Sequence, residues 1–106
     1  MVDLDSLYEN VMDFSLKLRC ENVFDDTLYA VISEQFEALV EEWKTKENIP
    51  KYGFITFVYM LDRLSIESGS RFMSADNVIK LENAHIAMQE LYESLYDQPP
   101  YVPTIN

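Results

Sequence analysis

Apolar residues recur at intervals of three and four along most of the chain, which is the spacing of one face of an α-helix. The first such stripe consists of Leu4, Leu7, Tyr8, Val11, Phe14 and Leu18. A second stripe follows a run of N-capping candidates that begins at Asp25, and its members are Leu28, Ile32, Phe36, Leu39 and Trp43. These stripes predict amphipathic helices at about residues 3–20 and 26–46, the second ending before Pro50.

The next segment, from Lys51 to Gly69, is apolar on almost every side and includes the run FITFVY. This aromatic and β-branched run is also typical of a buried strand. The apolar residues continue too far for an ordinary strand, through Met60, Leu61, Leu64 and Ile66. A single strand also forms no sheet, so the sequence favours a central helix at about residues 51–67.

A fourth helix is predicted at about residues 74–97, with Ser74 as its N-cap. Its stripe consists of Val78, Leu81, His85, Met88, Tyr92 and Leu95. This short stripe indicates packing within a bundle rather than an extended coiled coil. The three prolines in residues 98–106 predict an extended tail that lies along the bundle, held there by Tyr101 and Val102.

Together these elements predict an all-α, single-domain, four-helix bundle-like fold with an extended Pro-rich C-terminal tail. A chain of 106 residues that is 48% hydrophobic suits one domain, residues 1–106, with its own core. The lone cysteine, Cys20, cannot form an internal disulfide, and no apolar run approaches the roughly 20 residues of a membrane span. The sequence therefore predicts a cytoplasmic location.

The net charge of the chain limits the classes of partner that it can bind. Nineteen acidic and eight basic residues give a net charge of −11, and residues 1–42 alone contain 11 acids against 2 bases. Such a charge repels nucleic acid and anionic membranes and favours a basic protein partner. Direct binding to nucleic acid or to a membrane is therefore not expected.

Six acids form two rows that helical periodicity places opposite the apolar stripes. The rows are Asp5, Glu9 and Asp13 on the first helix, and Glu34, Glu37 and Glu41 on the second. If the two helices are antiparallel neighbours, the rows together carry about one charge per 3 Å of axis, close to the roughly 3.4 Å of a DNA strand. We interpret the six acids as a partner-binding face. Acidic helix faces also serve only to keep proteins in solution, and that alternative stays open.

Two short patterns resemble those of metal-dependent enzymes. Glu82-Asn-Ala-His85 resembles the Glu-x-x-His step of ferritin-like di-iron proteins, although that family has two such steps and this chain has one His. The pair EQFE, from Glu34, and ELYE, from Glu90, resembles the acidic motifs of all-α nucleotide pyrophosphohydrolases, which hold magnesium. Because carboxylates that point outward do not converge on an ion, we predict no metal ligand, no cofactor and no catalytic residue.

The composition resembles that of small acidic inhibitors, namely nuclease immunity proteins and the anti-restriction or anti-CRISPR proteins of phages. The resemblance is one of type, and no residue role is carried over from it. It implies a phage or bacterial protein, without catalytic activity, that binds and inhibits a basic protein that handles nucleic acid. The alternatives are a metal- or nucleotide-dependent enzyme and a structural or adaptor subunit whose acids only solubilise it. A homodimer is compatible with each of these functions.

Overall fold

The computed structural model describes residues 2–46, 48–68, 73–96 and 104–105. Within them the predicted all-α, four-helix fold is confirmed. The helices are α1 (Leu4–Glu21), α2 (Asp26–Trp43), α3 (Lys51–Ser68) and α4 (Ala75–Glu93), and the two short strands are β1 (Asn48–Ile49) and β2 (Thr104–Ile105). A single 3₁₀ turn, Ser94–Tyr96, continues α4 to where the sequence placed its end.

Three of the helices begin at side-chain caps. Asp3, Asp25 and Ser74 each accept a hydrogen bond from a backbone N–H two or three residues further on, at 3.0, 3.0 and 3.2 Å. Each bond satisfies an N–H that the first turn of a helix leaves without a backbone acceptor. The first helix ends at Glu21 and is capped by Asn22, whose φ of 55° is left-handed and turns the chain toward α2.

The second helix ends at Trp43, three residues before the predicted boundary near residue 46. The backbone N–H of Lys46 bonds to the carbonyl of Trp43 at 3.1 Å, which tightens the chain into a turn. Lys44 and Lys46 therefore lie beyond the helix, and their ammonium groups reach back to carboxylates in its last turn.

Helices α1 and α2 form an antiparallel pair. Asn10 Nδ2 donates to Gln35 Oε1 at 3.0 Å, and about two turns further along α1 the ammonium of Lys17 lies 2.6 Å from the carboxylate of Asp25. Later residues of α1 thus meet earlier residues of the following segment. The antiparallel packing on which the two acidic rows depend is present.

Helices α1 and α3 run parallel. The rings of Tyr8 and Tyr52 pack with centroids 5.7 Å apart, and seven residues later on both helices Ser15 Oγ lies 3.1 Å from Tyr59 Oη. Since α4 packs against α3 and α2, the four helices surround the core in the order α1, α2, α4, α3. The helices α2 and α3 therefore face each other diagonally.

The core is centred on Phe57 of α3, whose side chain has no exposed surface. Its ring lies 4.4 Å from that of Phe36, 5.8 Å from that of Tyr92 and 6.5 Å from that of Trp43, measured between centroids. Each buried ring removes a large apolar area from water, which makes aromatic residues dominant in a small core. The FITFVY segment is thus helical, as predicted, and it supplies the middle of the core.

The outer face of α3 is open to solvent, although the sequence placed this helix in a central position. Ile55, Val58 and Ile66 expose 53%, 41% and 53% of their surface, whereas Met60 and Leu64 on the opposite side are fully buried. The apolar residues on nearly all sides of α3 therefore do not mean that the helix is enclosed on all sides. The outer side of α3 thus presents an apolar stripe to solvent.

Part of the tail returns to the end of the bundle where α3 begins. Strand β2 pairs in parallel with β1, so that Thr104 lies opposite Asn48 and Ile105 opposite Ile49. Ile49 is completely buried, which ties the α2–α3 connection to the core. This section of the tail is extended, as the prolines predict, whereas the predicted anchors Tyr101 and Val102 lie outside the described residues.

Candidate protein-binding surface

All six acids assigned to the partner-binding face have exposed side chains. We call this set the acidic face, and it consists of Asp5, Glu9, Asp13, Glu34, Glu37 and Glu41. Because α1 and α2 are antiparallel neighbours, the two rows lie on adjacent helices. The antiparallel adjacency that a combined charged surface would require is present.

The acidic face is curved rather than flat. A step of four residues advances a side chain by about 40° around a helix, so a row of acids winds away from a straight line. Asp13 consequently lines a groove between α1 and α2, and Glu37 lines a groove between α2 and α4. The carboxylates of α1 and α2 therefore point in several directions around the helix pair.

Cations of the same chain leave most of the acidic face uncompensated. Lys44 Nζ lies 3.2 Å from Glu41 Oε1, in an ion pair whose Glu41 side chain remains 75% exposed. The other ion pairs among the described residues join Lys17 to Asp25, Lys46 to Glu42, Arg63 to Glu67 and Lys80 to Asp26. Five of the six carboxylates thus have no ion pair with any Lys or Arg in the described ranges. The sequence did not foresee the contact with Lys44.

The groove between α1 and α2 combines apolar and acidic side chains in a volume of about 530 Å³. Leu16 and Val31 contribute exposed apolar surface, since they are 50% and 43% accessible. The carboxylates of Asp13 and Glu21 and the Lys17–Asp25 ion pair border it. Such a lining suits a basic protein segment with an apolar side chain.

Within that groove, the Lys17–Asp25 contact perturbs both partners in the direction of a stable ion pair. The hydrogen bond from Lys17, followed by the backbone N–H of Leu28, lowers the pKa of Asp25. The same side-chain hydrogen bond raises the pKa of Lys17. Lys17 thus forms its ion pair with Asp25, while the nearby charges of Glu21 and Asp13 add to the raised pKa of Lys17.

Tyr8 lies at the surface, although the sequence placed it in the apolar stripe of the first helix. Tyr8 and its neighbour Tyr52 are both 42% exposed. Desolvation, then a hydrogen bond with the Asp5 carboxylate, raises the pKa of Tyr52, and the charge of Glu9 adds to the effect. Two members of the acidic face therefore lie beside an exposed pair of aromatic rings. The sequence feature that could have indicated this exposure is the polar hydroxyl of Tyr8, which stands among mostly aliphatic residues in the stripe of the first helix.

The residues of the di-iron resemblance do not form a cage. Glu82 is exposed on the outer side of α4, and His85, one turn later, is half-buried. Across the described part of the chain, no three His, Cys, Asp or Glu side chains lie close enough together to hold a metal ion.

The acids of the pyrophosphohydrolase resemblance are also spread apart. Glu37 and Glu90 line the same groove between α2 and α4, together with Lys44. Glu34 is exposed on α2, and Glu93 is exposed on α4, where it accepts a hydrogen bond from Gln89 at 3.1 Å. The arrangement brings one carboxylate from each motif to the groove rather than all four.

No protein-family model, curated protein or solved structure matches this chain. Among the helices of the described ranges, none combines the length and the apolar character needed to cross a bilayer.

Proposed function

We propose that this chain is a non-catalytic protein that binds a basic, nucleic-acid-handling protein through the acidic face and inhibits it. In type it would act as nuclease immunity, anti-restriction and anti-CRISPR proteins do. The supporting observation is that two antiparallel helices present six exposed carboxylates, five of them without an ion pair to any described Lys or Arg. Fixed, uncompensated charge of one sign favours association with a surface of the opposite sign.

The spacing of the acids supports a partner that handles nucleic acid. Acids four residues apart on α1 are separated by about 6 Å along the helix axis, and two neighbouring rows bring the density to about one charge per 3 Å. A DNA strand carries about one phosphate per 3.4 Å. A protein surface whose Lys and Arg side chains bind phosphates therefore meets a similar density of negative charge here, and occupying that surface would block nucleic acid.

A structural or adaptor subunit is the second candidate, and the outer face of α3 favours it. Ile55, Val58 and Ile66 form an exposed apolar stripe that no other described element covers. Exposed apolar patches commonly mark sites of protein contact. In this case the acids would only solubilise the protein, and the apolar stripe would bind a partner regardless of its charge.

The experiment uses the full chain, immobilised, as bait for proteins of the source organism, with mass spectrometry of what is retained. A DNA duplex of about 30 base pairs is then added as competitor. The test variant reverses Glu34→Lys, Glu37→Lys and Glu41→Lys. The control variant makes the same change in charge at three exposed acids of α4, Asp76→Lys, Glu82→Lys and Glu93→Lys.

Wild type and control should retain a nucleic-acid-binding protein that the duplex releases, while the test variant should not. The recovered partner should lose activity on nucleic acid when wild-type chain is added. The proposed function is contradicted if the test variant retains the partner as well as wild type does. It is also contradicted if the DNA duplex does not release the partner. If the test variant retains the partner as well as wild type does, and Ile55→Ser with Val58→Ser abolishes retention, the adaptor function is favoured.

A further inference from the structure

We propose that Tyr8 and Tyr52, with Asp5 and Glu9 beside them, bind an arginine side chain of the protein partner. This inference rests on the proposed function, because it specifies the chemistry by which a basic partner is recognised. It assigns the centre of the contact to the α1–α3 side of the acidic face, whereas the prediction from sequence treated the rows on α1 and α2 alike.

The geometry of the patch combines two aromatic rings with two carboxylates. The rings are 5.7 Å apart between centroids, inclined by 50°, and each residue is 42% exposed. On α1, Asp5 lies about one turn before Tyr8 and Glu9 follows Tyr8 directly, so both acids flank the ring pair. The hydrogen bond with Asp5 and the charge of Glu9 also contribute to the raised pKa of Tyr52. Neither acid forms an ion pair with a Lys or Arg of the described ranges. The patch therefore offers ring faces and negative charge at one place.

The same seam contains an internal version of this arrangement, already filled by an arginine. Tyr59 follows Tyr52 by seven residues on α3, and the guanidinium of Arg63 lies 5.5 Å from its ring centroid. Arg63 Nη1 also lies 3.4 Å from Glu67 Oε1. Tyrosine, carboxylate and guanidinium thus pack together on α3. Two turns earlier, tyrosines and carboxylates are present without a guanidinium from the described residues.

Arginine fits this patch better than lysine for a physical reason. The guanidinium is planar, so it can stack on the face of an aromatic ring. Its N–H groups then still donate to a carboxylate beside that ring. An ammonium is compact and strongly hydrated, and it gains less from the ring face. The combination of Tyr faces with Asp and Glu is therefore selective among basic side chains.

The apolar stripe of α3 adjoins the patch and gives the contact a surface that excludes water. A groove of about 300 Å³ follows Tyr52 along the outer face, lined by Phe54, Ile55, Val58, Tyr59 and Asp62. Tyrosines are enriched among the residues that dominate binding energy, and surrounding contacts shield them from water. The arrangement of a charged, aromatic centre beside apolar surface is typical of such a site.

A second copy of this chain is a poorer occupant than a basic protein. Self-association through the patch would bring the Asp5 and Glu9 of both copies together in a chain of net charge −11. Like charges brought together at an interface oppose association. Charge complementarity therefore selects a positively charged protein.

The test compares two probes of equal charge, peptides of nine arginines and of nine lysines, binding to the full chain at low salt. Affinities are measured by calorimetry, and the binding site by NMR shifts of the tyrosine rings. The arginine peptide should bind about two- to fivefold more tightly, the range expected for an exposed cation–π contact. The resonances of Tyr8 and Tyr52 should shift with it.

Two double variants and a control identify the source of that preference. Tyr8→Leu with Tyr52→Leu keeps apolar bulk without rings, so both peptides should bind equally. Tyr8→Phe with Tyr52→Phe keeps the ring faces and should keep most of the preference. The control, Ile79→Ala with Ile86→Ala, truncates exposed side chains on α4 and should change nothing. Circular dichroism verifies that each variant is folded.

Equal affinity of wild type for both peptides overturns the inference, and so do shifts confined to residues away from Tyr8 and Tyr52. These wild-type results are decisive even if a variant does not fold. If the arginine preference is found but no DNA-displaceable partner is captured, the proposed function fails and the arginine site stands. If the α2 reversal abolishes capture while the Leu double variant binds normally, the proposed function stands and the arginine site fails.

Discussion

The indole of Trp43 lies against the backbone of Gly53, and a Cβ atom at Gly53 would come within 2.8 Å of Trp43 Cζ2. This contact joins the end of α2 to the start of α3, and Trp43 is 1% exposed. A buried indole has little freedom to move aside, so only glycine fits at this position. The close approach fixes how the two diagonal helices meet.

Gly53→Ala should therefore lower the free energy of unfolding. Overpacking of a core costs about 1–3 kcal/mol, and the better helix propensity of alanine returns up to about 1 kcal/mol. We expect a net loss of about 1–2 kcal/mol, read from the midpoint of urea unfolding. In a Trp43→Phe background the smaller ring should reduce the loss. A penalty of the same size in both backgrounds would show that the contact is not its cause.

Phe57 and Ile55, two residues apart on α3, should respond to truncation in opposite ways. Phe57 is fully buried among three aromatic rings, so Phe57→Ala should cost about 3–5 kcal/mol of unfolding free energy. Ile55 is 53% exposed, and Ile55→Ala should cost less than about 1 kcal/mol. Urea unfolding of both variants measures the difference. Losses of similar size would contradict an outer face of α3 that is open to solvent.

The Lys17–Asp25 ion pair predicts a pH dependence of stability. The pKa of Asp25 is lowered from 3.8, so the stability that its charged form contributes is present above that pH. It is lost as the pH falls through the lowered value. Asp25→Asn keeps a side-chain acceptor for the helix cap. The difference in stability between wild type and Asp25→Asn should therefore be full at neutral pH and shrink in acid.

The dependence of stability on alkaline pH follows from Lys17, whose pKa is raised from 10.5. The contribution of the ion pair should persist up to that pH and disappear as the pH rises through the raised value. Lys17→Met supplies the control, because in that background Asp25→Asn should cost less. A difference between wild type and Asp25→Asn that is constant from pH 2 to 8 would show that the ion pair does not stabilise the fold.

Divalent metals should leave the melting temperature nearly unchanged. A bound ion stabilises the fold that holds it, and within the described residues no three potential ligands converge. Thermal unfolding with added Fe²⁺, Mn²⁺, Zn²⁺ or Mg²⁺ measures the effect. A clear rise that Glu82→Ala or His85→Ala removes would revive the enzyme alternative.

The sequence predicted the helices and their inward faces because both depend on local spacing. Leu7, Val11, Phe14 and Leu18 recur with helical periodicity, and all four are fully buried. The caps at Asp25 and Ser74 were predicted as well, since an N-cap depends on one side chain and the turn that follows it. The exposure of the six acids followed from the same spacing.

Periodicity does not report which helix lies next to which, and the predicted burial of two side chains is wrong for this reason. Tyr8 was assigned to the apolar stripe of the first helix and Ile66 to the apolar run of the third, yet both are substantially exposed. Tyr8 lies at the edge of α1, where the ring of Tyr52 packs against it. The diagonal placement of α2 and α3 and the curvature of the acidic face depend on tertiary packing. The exposed tyrosine pair could not be recognised before α1 and α3 were known to be parallel neighbours.

The central claim, that the acidic face binds a basic partner, also makes a prediction about folding. The reversals Glu34→Lys, Glu37→Lys and Glu41→Lys lie at exposed positions, so each should change stability by no more than about 0.5 kcal/mol. Urea unfolding of the triple variant checks this. A fully folded variant is the condition under which a loss of binding can be assigned to the surface.

The most direct measurement is the dissociation constant of the captured partner, with its on-rate, for wild type, this triple variant and the α4 control. It is made at about 50 and 200 mM salt, since attraction between exposed charges is screened over this range. We predict that the triple variant binds at least about tenfold more weakly and that rising salt slows association of wild type and control. If the folded triple variant binds as tightly as wild type at both salt concentrations, the acidic face serves only to solubilise the protein, and the account is wrong.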